Sequence, residues 1–128
     1  MKILLVDDKA SIRAAMKTIL VHLGFSDITE AVDGEDAWYK ITDGGKKGSR
    51  QIFDLIVSDL EMPGMTGLEL LRAVRTDPEI GNTPFIMATT VTAKQIILET
   101  MRLGIQAYII KPFDKQMVEL KLKQAGIL

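Results

Sequence analysis

The stretch Ile3-Leu4-Leu5-Val6-Asp7-Asp8 decides the fold. Four apolar residues run on without alternation and end on two carboxylates. Such a run is too short for a helix, and its lack of polar interruption fits a strand covered on both faces. The pattern recurs further along. Leu55-Ile56-Val57-Ser58 ends on Asp59, and Tyr108-Ile109-Ile110 ends on Lys111, with Pro112 next. Counting Ile28–Ala31 and Phe85–Ala88, and letting the last run begin at Ala107, five strands are expected.

Helical spacing fills the intervals. Ala10–Leu23 sets Ile12, Ala15, Met16, Ile19 and Leu23 at three-to-four spacing, and Gly24 stops it. Glu35–Ile41 is a short helix closed by Asp43-Gly44-Gly45. Leu68–Arg75 puts Leu68, Leu71 and Val74 on one side. Ala93–Leu103 follows Thr92, the expected N-cap, and Asp114 is expected to cap Lys115–Gln124. Strict strand–helix alternation predicts an α/β fold. The expected form is a flavodoxin-like five-stranded parallel sheet, order 2-1-3-4-5, with helices on both faces. The one loop-like insertion, Gly44-Gly45-Lys46-Lys47-Gly48-Ser49-Arg50, reads as a mobile, solvated connection.

At 128 residues the chain fits one domain with a real core. Hydrophobic residues at 47% and charged residues at 26% suit a water-soluble globular domain. No apolar run is long enough for a bilayer, and Met1-Lys2 leads straight into a strand without a signal-peptide cleavage site. No membrane partner is therefore expected. Cysteine is absent, which excludes disulfides and thiolate metal sites and makes a cytoplasmic location the default expectation. A net charge of -1, with no basic recognition helix, argues against nucleic acid as a partner.

In this architecture the carboxyl ends of the strands share one edge, where ligands bind. Asp7, Asp8, Asp59 and Lys111 should therefore meet. Three acids and one lysine at one spot are costly unless a cation and an anion balance them. That points to a divalent metal and a phosphoryl group.

Asp7-Asp8, Asp59 with Met62-Pro63-Gly64 behind it, Thr89, and Lys111-Pro112-Phe113 follow one another in this order, each set at an expected strand end. Together they resemble the receiver domain of two-component response regulators, in its single-domain, chemotaxis-regulator-like form. The resemblance runs from Lys2 to about Leu122. It implies that Asp59 is the phosphoacceptor, a carboxylate nucleophile that becomes an acyl phosphate. It implies that Asp7, Asp8, Asp59 and the backbone carbonyl of Glu61 hold Mg²⁺, a hard cation that takes oxygen ligands and keeps several waters. Lys111 then pairs with the carboxylate at rest and with phosphoryl oxygens afterward, and the Thr89 hydroxyl bonds a phosphoryl oxygen. Thr90 stands where the family most often has Ala or Gly. Spacing to Lys111 favours Thr89 as the inward hydroxyl. The Lys111–Pro112 bond is expected to be cis, as the family implies.

The implied function is a phosphorylation-activated switch, not an enzyme beyond self-phosphorylation and autodephosphorylation. A histidine kinase or phosphotransfer protein is the expected donor. In the family, Thr89 and Tyr108 form the switch, with the aromatic ring turning inward. The output face is the fourth helix, fifth strand and fifth helix. Ile96-Ile97-Leu98 are consecutive here, so one helix cannot bury all three, and Met101 lies one turn after Ile97. The expected face for an unidentified protein target is Ile97, Met101, Tyr108, Ile110 and Lys121. A monomer or weak dimer is expected. Residues 1–128 read as one receiver domain with no output domain, either docking on a target or serving as a phosphorelay intermediate.

Two other classes share the architecture. A Mg²⁺-dependent phosphatase would usually need a second Asp just after its nucleophile, where Leu60 and Glu61 stand. A flavodoxin-type cofactor binder would need a Ser/Thr/Gly loop after the first strand, where Asp7-Asp8 would repel phosphate. His22, the only histidine, suits a helix C-terminus and has no acidic companion for catalysis. Trp38 and the seven methionines read as packing residues.

Overall fold

A computed structural model describes all of residues 1–128. Ten elements alternate: β1 (Lys2–Val6), α1 (Ala10–His22), β2 (Asp27–Ala31), α2 (Gly34–Ile41), β3 (Leu55–Ser58), α3 (Gly67–Thr76), β4 (Phe85–Thr89), α4 (Lys94–Arg102), β5 (Ala107–Ile110) and α5 (Lys115–Gln124). The strands form one parallel sheet in the order β2-β1-β3-β4-β5. Residues 3–6, 55–58 and 85–89 of the three central strands are all buried, so they read as unbroken runs. The edge strands are wetter: β2 buries only Ala31 and β5 only Ile109.

Successive strand residues face opposite sides, so the sheet feeds two cores. Leu4, Val6, Ile56, Phe85 and Met87 pack with Ala37 and Ile41 of α2 and with Leu70, Leu71 and Val74 of α3. Ile3, Leu5, Leu55, Val57, Ile86 and Ala88 pack with Met16 and Leu20 of α1 and with Val118 and Leu122 of α5. No helix is long and apolar enough to cross a membrane.

Several local expectations are corrected. Ala15 is exposed, while Leu20, one turn beyond Met16, is fully buried. On α3, Leu70 is buried beside Leu71 and Val74, and Leu68 is only half-buried. Thr92 does not cap α4. The N-cap position is Ala93, without a side-chain hydrogen bond, because a capping hydroxyl must sit at the N-cap to reach the N2 or N3 amide. Asp114 does cap α5, accepting from the Met117 N–H at 2.8 Å. The 44–50 segment is solvated at residues 44–48 but anchored at Arg50. Arg50 Nε donates to Asp77 Oδ2 at 3.0 Å, and its guanidinium lies 6.0 Å from the Trp38 ring centroid. Burial opposes ionisation of Asp77, yet bonds from the Glu79 and Ile80 N–H groups and Arg50 hold its carboxyl below the usual range.

Candidate functional site

Backbone ladders carry the key residues to one edge. The Asp7 N–H donates to Ala31 O at 3.2 Å, the Asp59 N–H to Val6 O at 2.9 Å, and the Lys111 N–H to Thr89 O at 2.8 Å. Each of the three stands one residue past its strand. The Lys111–Pro112 peptide is cis, as expected.

Asp7 and Asp59 are 3% and 4% exposed, whereas Asp8 is open to solvent. One carboxylate oxygen from each of the three lies within 4.8 Å of the others. Lys111 Nζ sits 2.6 Å from Asp7 Oδ2 and 3.2 Å from Asp59 Oδ2. The expected Lys111–Asp59 pair is present, but the shorter contact goes to Asp7. The second oxygens are held by backbone: Asp59 Oδ1 accepts from the Leu60 N–H at 2.7 Å, and Asp7 Oδ1 from the Lys9 N–H at 2.9 Å. Asp7 and Asp8 do not cap α1, whose N-cap is Lys9 with no side-chain bond. One ammonium shared by two buried carboxylates, with a third alongside, leaves an excess of negative charge in a low-dielectric site. A hard cation suits that donor set.

Thr89 is fully buried and Thr90 exposed, so the inward hydroxyl is the one expected. Thr89 Oγ1 accepts from the Val91 N–H at 3.3 Å.

The response regulator receiver domain model matches residues 3–123. The chain belongs to the receiver-domain family. The receiver is 39% identical to the chemotaxis protein CheY of Pseudomonas aeruginosa over 124 residues, covering 97% of this chain and 94% of that protein. It is 39% identical to chemotaxis protein CheY-3 of Vibrio cholerae, covering 95% and 88%. The structure of Vibrio cholerae CheY4 superposes with a TM-score of 0.82 at 33% identity, covering 97% of both chains. The bacteriophytochrome response regulator RtBRR superposes at 0.86 and 25% identity, covering 99% of this chain and 78% of that one. The receiver is thus a phosphorylation-activated two-component signalling switch and not a classical enzyme. Its acidic cluster can hold a metal ion.

In the receiver, Tyr108 is half-buried and its hydroxyl donates to Val91 O at 2.7 Å. Val91 is therefore bonded to Thr89 through its amide and to Tyr108 through its carbonyl. Burial raises the Tyr108 phenol above its ordinary value, and the Asp59 and Glu61 carboxylates add to the shift. On the expected output face Met101 is 59% and Ile110 39% exposed, while Ile97 and Lys121 are half-buried. Leu98, at 42%, adds apolar surface to that face.

Sequence reading missed the supports behind the site. Arg13 Nη1 donates to Asp7 O at 2.6 Å, while its Nε pairs with Glu30 Oε1 at 3.3 Å. Glu35 Oε1 accepts from the Met65 N–H at 2.5 Å, tying α2 to the loop after Asp59. A Cβ at Gly67 would lie 2.1 Å from Asp59 O, and one at Gly34 2.4 Å from Met65 O. These glycines let the backbones around Asp59 touch. Periodicity carries no trace of such contacts. A glycine at the first position of a helix was the only local sign.

Proposed function

We propose that Asp59 accepts the phosphoryl group from a phosphohistidine of a histidine kinase or phosphotransfer protein. The carrying observation is Asp59 itself: a buried carboxylate with one oxygen fixed by the Leu60 N–H and the other facing Lys111, Asp7 and Asp8. Asp59 Oδ2 attacks phosphorus. The O–P bond forms as the P–N bond to the donor imidazole breaks, and the imidazole leaves. Lys111 already reaches both buried carboxylates, so it can serve phosphoryl oxygens on Asp59 without leaving its place. The Thr89 hydroxyl accepts from Val91 and donates to no group in the chain, so its proton is available to a phosphoryl oxygen. Positioning and charge neutralisation, not covalent work by further residues, carry such transfers.

The donor set of Asp7, Asp8, Asp59 and the Glu61 carbonyl, which accepts no hydrogen bond within the chain, fits Mg²⁺. When bound, that ion neutralises charge on the transferring group. Recruiting Thr89 to the phosphoryl group disturbs its bond with Val91, and Val91 in turn holds Tyr108. The disturbance reaches the face formed by Ile97, Leu98, Met101, Tyr108, Ile110 and Lys121, where a protein target docks. The receiver acts in the cytoplasm as a monomer or weak dimer.

Acetyl phosphate with Mg²⁺ should add one phosphoryl group by intact mass, and the adduct should decay on its own. Asp59→Asn should not label. Equal labelling of that variant overturns the assignment.

A further inference from the structure

The basic, glycine-rich segment 44–50 takes no part in the phosphoacceptor site. Together with α2 it walls a groove of about 540 Å³, within the size range of small-molecule sites. Trp38 and Tyr39 line the groove with Lys46, Lys47 and Arg50. Tyr39 is 61% exposed, so its ring is open to a ligand from solvent. Its hydroxyl lies against Gly44, where a Cβ would sit at 3.3 Å and where φ is +73°. Lys47 makes no ion pair, and Lys46 approaches Asp43 only at 3.7 Å. Arg50 uses Nε on Asp77 and Nη1 on Ser49 O, which leaves Nη2 free. The one carboxylate in the lining, Glu35, is engaged by the Met65 N–H.

An exposed aromatic ring beside several underused cations recognises ligands that are planar at one end and anionic at the other. The ring stacks on the planar part, and the cations hold phosphate oxygens. We propose that this groove is a second ligand site that takes a purine nucleotide. The base stacks on Tyr39, and the phosphates meet Lys46, Lys47 and Arg50. The site lies outside the Asp7–Asp59–Lys111 cluster and shares no residue with it.

The test uses the full chain, ¹⁵N-labelled and free of metal, titrated with ATP and separately with GTP. Adenosine and tripolyphosphate serve as controls. Saturable shifts are expected at the amides of residues 44–50 and at the Trp38 indole. Tyr39→Ala and the double variant Lys46→Ala/Lys47→Ala should each weaken binding by about tenfold or more, a loss of about 1.4 kcal/mol. Both should still label at Asp59 like the parent, which shows that they fold. Tripolyphosphate binding as tightly as the nucleotides overturns the role of the ring. Absence of saturable shifts with either nucleotide up to roughly 10 mM overturns the site, because nothing weaker counts as a specific complex.

Discussion

Helices α3 and α4 sit side by side on the same face of the sheet and are held in opposite ways. The N-terminus of α3 carries a reciprocal capping box, with Thr66 accepting from the Glu69 N–H and Glu69 from the Thr66 N–H. It buries Gly67, Leu70, Leu71 and Val74. Its last turn sends Arg75 to the carbonyls of Gly81, Thr83, Leu103 and Gly104. Burial lowers the pKa of that guanidinium from its usual value. By contrast α4 has no side-chain cap and buries only Thr100. A groove of about 600 Å³, lined in part by Leu60, Leu68, Val91 and Ile96, opens between the start of α4 and the loop after Asp59. The lesson is a division of labour. The helix beside Asp59 is locked, whereas α4, which the proposed function makes the output helix, has the uncapped, thinly buried start expected of segments that respond to ligands.

The sharpest way to break this comparison is truncation on each helix. Leu71→Ala empties a fully buried position and should cost about 2–5 kcal/mol. Leu98→Ala, on the exposed side of α4, should stay within about 0.5 kcal/mol. Denaturant unfolding of both variants decides it, and equal losses would refute the contrast. Gly67→Ala comes next, because its methyl group meets the Asp59 carbonyl at 2.1 Å. Overpacking there should cost about 1–3 kcal/mol and, unlike Leu98→Ala, slow acetyl phosphate labelling. Thr66→Ala removes one half of the capping box and should cost about 1 kcal/mol, whereas Thr92→Ala removes no cap. Thermal melts should separate the two. The smallest effect concerns Tyr108. Its folded pKa lies above its unfolded value near 10, so its contribution to stability is full below that value. The contribution is lost as pH climbs through the raised folded value. Tyrosinate absorbance should show one late-titrating phenol, missing in Tyr108→Phe. An unshifted titration would mean that neither burial nor the Asp59 and Glu61 carboxylates act on the ring.

Strand positions, sheet order and the meeting of Asp7, Asp8, Asp59 and Lys111 were legible because central parallel strands must be apolar on both faces and must end on one edge. The residues around them were less so. Ala15 lies about 140° around the helix from Leu20, so a three-to-four spacing drawn through Ala15 missed Leu20, which shares its face with Met16 one turn earlier. The Arg50 anchor on Asp77 joins residues far apart in sequence. The Glu35–Met65 and Gly67–Asp59 contacts are backbone approaches, which no pattern of apolar residues encodes. Sharing of Lys111 between two acids was also invisible, since a strand-end lysine reads the same whichever carboxylate it meets.

The central claim is that charge added at Asp59 moves α4 and leaves α3 in place. The most direct test is an amide spectrum of the ¹⁵N-labelled chain with Mg²⁺, before and after adding the phosphoryl mimic beryllofluoride. The account predicts shifts at Asp59, across Thr89–Val91 and along α4, with α3 beyond its first turn unchanged and Asp59→Asn silent throughout. Equal shifts in both helices, or a site that responds while α4 stays still, would contradict it.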